Sequence, residues 1–260
     1  MVPQNKLILV GAGPGDLELI SVKGLKAIQK AKVILYDALV NEELLLEAPD
    51  SAVLVYVGKR SNNHRYKQEQ INQLIVDYAI DYGEVVRLKG GDSFVFGRGA
   101  EEIAYAEGFG IKAEVIPGIS SSISVPELQG IPLTMRGLNE SFWVITGTTK
   151  SGRLSADIEL AAQSTATSVI LMGMKKLKHI IDIYKYHAQE DTPVAIIQNG
   201  SLPNEKVIVG NLSNIVELSV QNQIAAPAII VVGEVVRLHK LYPQLNWDFK
   251  KIIELDFVRN

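Results

Sequence analysis

Apolar and polar positions alternate in two rhythms along the first half of the chain. Short, mostly β-branched apolar runs at residues 6–10, 32–36, 52–57, 84–88 and 113–116 predict strands. Between them, residues 17–29, 42–47, 68–80 and 99–107 have helical spacing or composition. In KQEQINQLIVDYAI the side chains of Ile71, Leu74, Ile75 and Tyr78 fall on one face, as an amphipathic helix requires. Such alternation predicts a layered α/β domain with a largely parallel sheet. Ligands of such sheets gather outside the carboxyl ends of the strands. The turns that follow strands are therefore where chemistry is expected.

The stretch GIPLTMRGLNES, residues 130–141, is rich in Gly, Pro and polar residues and reads as a connection between halves. It predicts two domains, 1–133 and 134–260. Beyond it, strand-like runs recur at 142–145, 167–172, 194–198, 206–209 and 228–232. SLPNEKVIVGNL has the look of a hairpin, so the second sheet is expected to be mixed. The tail PQLNWDFKKIIELDFVRN alternates charge and bulk and reads as a short appended helix or strand. No internal repeat or low-complexity segment interrupts the pattern.

Composition narrows the chemistry. The chain has 260 residues, 47% apolar and 21% charged, enough for well-filled cores under an ordinary polar surface. A net charge of −3 gives no global basic field to attract nucleic acid. No cysteine is present, which excludes disulfides, thiolate metal sites and thiol catalysis. His64, His179, His187 and His239 are too scattered for a compact metal motif. The longest apolar stretch, around 224–232, is far short of the roughly 18 residues of a membrane span. With no secretory h-region after Met1, a soluble cytoplasmic protein without a metal is expected.

Several strand ends carry unusual residues. In LILVGAGPGD, glycines stand at 11, 13 and 15. The dinucleotide fingerprint would place a third glycine where Asp16 stands, and Pro14 removes a backbone N–H. A nucleotide-dependent oxidoreductase is therefore a weak reading. In VRLKGGDSFVFGRGAEE, Gly90 and Gly91 end a strand and can admit a ligand to the backbone, or simply make a turn. Asp92 can accept hydrogen bonds from a ribose or an ammonium group. In LYDALV, Asp37 is either a helix cap or a carboxylate at the productive sheet edge. YVGKRSNNHRYKQEQIN gathers Lys59, Arg60, His64, Arg65 and Lys67, a solvated loop or a cationic mouth for a polyanion. VIPGISSSISVP, ILMGMKK and IIQNGS are further strand ends with small residues.

Taken in order, VGAGPGD, YDALV, VGKR…H…KQEQIN, RLKGGDSFVFGRGAEE, PGISSSISVPELQGIPLT, LMGM and TPVAIIQNGS resemble the motifs of uroporphyrinogen-III C-methyltransferases. The resemblance spans about residues 7–236; GAGPGD is shared across the wider tetrapyrrole methyltransferase superfamily, whereas the VGKR and GGDSFVFGRGAEE motifs are narrower. It implies two αβα-layered domains with mixed, mostly parallel sheets and an active site in the cleft between them, usually in a homodimer. It also implies S-adenosyl-L-methionine as methyl donor and uroporphyrinogen III as acceptor, methylated at C-2 and C-7 through precorrin-1 to precorrin-2. That product leads to sirohaem or cobalamin-type rings. Carried over by position, the donor site is Pro14, Gly90, Gly91, Asp92, Val95, Ser120, Ser121, Met172 and Gly200. The acid–base pair falls on Asp37 and Lys59. Because the acceptor carries eight carboxylates, Arg60, His64, Arg65, Arg98 and Arg136 are candidate anchors. Met135 and Thr148 stand where the pattern has histidines, and Ser120–Ser121 replaces a Thr-Ala pair. A methyltransferase acting on a later precorrin, and a binding module that keeps the fold without turnover, are the remaining alternatives.

Overall fold

A computed structural model describes residues 5–58 and 66–242. The chain divides into two compact units between Ser121 and Ser122. The first is built on five strands: β1 (Lys6–Gly11), β2 (Val33–Tyr36), β3 (Val53–Tyr56), β4 (Glu84–Lys89) and β5 (Lys112–Ile116). They are all parallel in the order β3-β2-β4-β1-β5. Side chains alternate across this sheet with the period of two that a strand imposes. One face presents Ile8, Val10, Ile34, Val86 and Leu88 to Ile28 of helix α1 (Val22–Ile28) and to Leu44 and Leu45. The other presents Leu7, Val33, Leu35 and Val85 to helices α2 (Gln68–Tyr82) and α3 (Gly99–Glu107). Ile71 and Ile75, from the predicted amphipathic face of α2, lie in that core. Left-handed Gly83, at φ 77°, ends the helix and feeds β4 directly.

Local hydrogen bonding overrides the helical pattern in two places. The helix predicted over 17–29 is interrupted: Asp16 caps a 3₁₀ turn at Leu17–Leu19, and Ser21 caps α1 afresh through a 3.1 Å bond from Gly24 N–H. Residues Glu42–Glu47 form a 3₁₀ helix capped by Asn41. Both interruptions begin at a side chain able to take a free helix N–H.

The second unit holds β6 (Phe142–Thr146), β7 (Thr167–Leu171), β8 (Pro193–Gln198), β9 (Lys206–Asn211) and β10 (Ala228–Val232), ordered β6-β7-β10-β8-β9. β6 and β7 are parallel, and the other three pairings are antiparallel, including the predicted β8–β9 hairpin. Ile170, Val194, Ile196 and Ile230 pack with α5 (Asp157–Ala162), α6 (Leu177–His187) and α7 (Ile215–Gln221) on one face. On the other, Val169, Ala195, Ile197 and Val231 meet Val125 of α4 (Ser121–Leu128), Ile131, and Val235 and Val236. Val125 and Ile131 thus pack in the second core, whereas the division expected at 133/134 would assign them to the first. The strand-end turn expected at VIPGISSSISVP leads at Ser121 into α4, which carries Pro126 within it.

At the edge of the first sheet, Glu114 accepts 2.6 Å contacts from Lys6 and Lys23. Hydrogen bonds from Lys23 and then Lys6 hold its carboxyl pKa down at about 2. A depressed carboxyl stabilises the fold above its unfolded value, near 4.5, and that contribution is lost as pH falls towards 2. Glu114→Gln is therefore expected to lower stability at pH 7 by about 1 kcal/mol or less, since the carboxylate is partly solvated. In urea denaturation the gap between variant and parent should close between about pH 4.5 and 2. A gap that does not change with pH would remove the ion pairs as its cause.

Candidate functional site

Three loops meet by their backbones at the carboxyl edge of the first sheet. Beyond β1 and β4, Gly13 and Gly91 exchange two hydrogen bonds, Gly13 N–H to Gly91 O at 3.2 Å and Gly91 N–H to Gly13 O at 2.7 Å. A Cβ on Gly11 would lie 2.6 Å from Gly118 Cα and 2.8 Å from Gly91 O. One on Gly90 would lie 2.6 Å from Leu39 Cβ. These glycines admit chain against chain, which goes beyond the ligand approach expected of them. Gly91 differs: at φ +68° its outward side is open, with Ser121 N, 3.9 Å away, the nearest atom. Pro14 is half-buried in the first loop, and Asp16 turns its carboxylate to Glu18 N–H at 2.9 Å.

Asp92 fastens the β4 loop. Its Oδ1 accepts from Phe94 and Val95 N–H at 2.8 and 3.1 Å, and its Oδ2 accepts from Gly118 N–H at 3.4 Å. The loop so held exposes Phe94, Val95 and Phe96 as an apolar lip. Phe96 and Arg98 are left-handed, at φ 54° and 61°, where the chain turns back for Gly99 N–H to reach Ser93 O at 3.0 Å. Arg98 forks onto Glu101 with contacts of 3.0 and 2.6 Å, and this bond raises its pKa. Ser120 is buried and Ser121 opens α4.

Asp37 follows β2 at the same edge, half-buried. Its Oδ1 accepts from Leu39 N–H at 3.3 Å and its Oδ2 from Arg87 Nη2 at 3.2 Å. Asn41 caps the 3₁₀ helix that follows, so Asp37 is not the helix cap of the alternative reading: it closes a turn onto Leu39 N–H. Behind it lies a buried polar cluster that sequence reasoning missed. Arg87 and Lys89 of β4 share a face with Val85 and are enclosed with Glu102 of α3. Glu102 Oε1 accepts from Lys89 Nζ at 3.0 Å, Gln68 Nε2 at 3.1 Å and Arg87 Nε at 3.3 Å. Arg87 Nη1 also donates to Leu88 O at 2.9 Å and Leu35 O at 3.3 Å. Burial lowers the pKa of Lys89, as does repulsion from Arg87, while Glu102 and Asp37 oppose the shift. The available signal was VRLK itself, two cations two residues apart on the central strand of a sheet covered on both faces.

In the second unit, β7 and β8 are both antiparallel to β10, so the turns after them leave the sheet at one edge. Met172 ends β7 half-exposed at φ 57°. Its carbonyl accepts Thr148 Oγ1–H at 3.1 Å, so Thr148 anchors this turn. Gly200 follows β8 between left-handed Asn199 and Ser201, and a Cβ there would run into Val125. Arg136 is exposed on a turn organised by buried Asn139, whose amide donates to Leu133 O, Ser141 O and Thr167 Oγ1 and whose Oδ1 accepts Met135 N–H. Of the predicted site, Pro14, Asp37, Gly90, Gly91, Asp92, Val95, Ser120 and Ser121 therefore belong to the first sheet's carboxyl edge. Arg98 begins α3, and Arg136, Met172 and Gly200 belong to the second unit. Lys59, Arg60, His64 and Arg65 lie outside the described residues. Among the described residues there is no group of three or more acidic or histidine side chains placed to hold a metal ion. No helix among them is long and apolar enough to cross a membrane.

Comparison with known proteins gives these turns a context. Residues 6–216 match the family model described as Tetrapyrrole (Corrin/Porphyrin) Methylases. A uroporphyrinogen-III C-methyltransferase of Methanocaldococcus jannaschii is 48% identical over 236 residues, covering 90% of this chain and 98% of that protein. A siroheme synthase of Actinobacillus pleuropneumoniae is 44% identical over 96% of this chain, which spans only 51% of that longer relative. Among solved structures, uroporphyrin-III C-methyl transferase from Thermus thermophilus complexed with S-adenyl homocysteine superposes with a TM-score of 0.77 at 35% identity, covering 90% of this chain and 94% of that one. A family match over most of the chain, with glycine-built loops at the strand ends and Asp37 among them, establishes that this protein belongs to the tetrapyrrole (corrin/porphyrin) methylases.

Proposed function

We propose that this protein is an S-adenosylmethionine-dependent uroporphyrinogen-III C-methyltransferase. It would methylate C-2 and then C-7 to give precorrin-2, for sirohaem or cobalamin-type rings. The observation that carries the reading is the 48% identity that runs along nearly the whole of both chains. The chain spans about half the length of the relatives named siroheme synthase. A cytoplasmic homodimer fits the resemblance of its motifs.

The residues present suit the donor. Gly91 leaves open space at the strand end, the Phe94–Val95–Phe96 lip is apolar, and Asp92 fixes the loop that bears it. Pro14, Gly90, Gly91, Asp92, Val95, Ser120, Ser121, Met172 and Gly200 are the proposed donor contacts. When bound, S-adenosylmethionine supplies an electrophilic methyl group. The task left to the protein is largely to hold the acceptor carbon in line with it. Asp37 is the proposed base that takes the proton released once the alkylated ring is cationic, with Lys59 as its partner. Arg60, His64, Arg65, Arg98 and Arg136 are proposed to meet acceptor carboxylates; Arg98 would exchange Glu101 for one of them.

Incubation of the purified protein with uroporphyrinogen III and S-adenosylmethionine tests the proposal. Two methyl groups should transfer per macrocycle, with red-fluorescent dimethylated product detected by mass. Turnover of a later precorrin with none of uroporphyrinogen III would assign the protein to another step.

A further inference from the structure

The charges behind Asp37 form a relay that ends on the proposed base. Arg87 is 2% exposed and Glu102 is 0% exposed, so neither meets solvent. Four contacts hold the guanidinium: Glu102 through Nε, the carbonyls of Leu35 and Leu88 through Nη1, and Asp37 through Nη2. Glu102 gathers Arg87, Lys89 and Gln68 onto its single oxygen Oε1. Gln68 is held in turn by a 2.9 Å bond to Asn72, its neighbour one turn on in α2. The two cations Arg87 and Lys89 match the two carboxylates Asp37 and Glu102, so the cluster is neutral in its ionised form.

Such an arrangement needs a reason other than stability. Removing charges from water costs several kcal/mol per ion, and buried ion pairs are often no better than apolar side chains of like volume. An apolar pair would extend the core that Val85, Leu35 and Ile75 already form on this face. Instead, a planar fork is locked on three sides by protein, and the fourth side faces the one carboxylate of the cluster that reaches the sheet edge. Asp37 is then gripped on both oxygens, by Leu39 N–H and by Arg87.

We propose that Arg87, locked by Glu102, is a positioning residue that fixes the orientation of the Asp37 carboxylate for proton removal. The proposal rests on Asp37 being the base. Arg87 touches no substrate; it acts through Asp37, so its effect requires Asp37 to be present.

Arg87→Met, made alone and on an Asp37→Asn background, tests this by single-turnover rates with uroporphyrinogen III and by calorimetry with S-adenosylhomocysteine. In the parent, Arg87→Met should lower the single-turnover rate of forming the deprotonated methylated product about tenfold or more, with acceptor KM and S-adenosylhomocysteine affinity little changed. On the Asp37→Asn background it should cause no further loss. An unchanged rate in the parent, or the same fractional loss in both backgrounds, overturns the proposal, because a purely structural role does not depend on Asp37. Asp37→Asn at the parental rate rejects the base itself and the positioning role with it. An impaired Asp37→Asn beside an unimpaired Arg87→Met rejects only the positioning. If Arg87→Met does not fold, Arg87→Lys decides by the same readouts: it keeps the charge and loses the fork, so a parental rate overturns the proposal.

Discussion

Asp37→Asn is expected to lower kcat by roughly 10²–10⁴, the range over which a positioned general base acts. Binding of S-adenosylhomocysteine should be left intact. The two shapes are nearly the same, but the hydrogen-bond patterns are not. Asp37 accepts from two donors, Leu39 N–H and Arg87 Nη2, one on each oxygen. Asparagine has one acceptor oxygen, so one of those donors meets an N–H₂ group instead. A local stability loss of about 1–2 kcal/mol is expected on that ground. A fall in kcat beyond what unfolding explains, with the donor still bound, identifies a chemical role. Full activity of a folded Asp37→Asn protein would show that the carboxylate serves only to hold its turn and to pair with Arg87.

Gly11→Ala is expected to destabilise the first unit by about 3 kcal/mol and to abolish binding of S-adenosylhomocysteine. The added methyl would stand 2.6 Å from Gly118 Cα and 2.8 Å from Gly91 O, all of it backbone that cannot rotate away. Relief would require separating the loops after β1, β4 and β5, the loops that bear Pro14, Gly91, Asp92 and Ser120. Gly110→Ala supplies the contrast. Gly110 has no atom within 4 Å of a built Cβ, but its φ is +76°. Its cost is the left-handed backbone alone, about 1–2 kcal/mol. The thermal midpoint should therefore fall further for Gly11→Ala, and only that variant should lose the ligand in calorimetry. Equal midpoints for the two would mean that the loops separate easily and that the close approach is not what holds them.

Strand placement was legible because it depends on pattern. The core runs of β1, β2, β4, β8 and β10 are each apolar, short and bounded by turn residues, and their predicted positions agree with the structure to within a residue or two. Helix α2 was legible through the side chains that now fill the core beneath it. Helix α4 was not, because Pro126 and three consecutive serines carry turn character. Val125 finds its partners only in the second core, among strands that follow it much later in the chain. The break in the first predicted helix escaped for a related reason. Asp16 and Ser21 each offer a cap, and local hydrogen bonds outweigh a weak helical preference.

By itself the sequence determined the α/β architecture, the hairpin in the second half and the glycine-rich strand ends. Each of these follows from local periodicity or from the freedom of a residue without a Cβ. The order of motifs also carried the resemblance to the tetrapyrrole methylases. Tertiary structure decided what those residues do. Parallel pairing in the order β3-β2-β4-β1-β5 set Leu35 beside Arg87, and so brought the residues after β2 level with the end of β4. Alternation then put Arg87 and Lys89 under α2 and α3, where Gln68 and Glu102 descend on them. No local pattern couples Asp37 to Arg87 fifty residues later, or either to Glu102. Contacts between strands and helices are fixed by packing at long range. The grip on Asp37 is therefore a property of the folded sheet and not of any one segment.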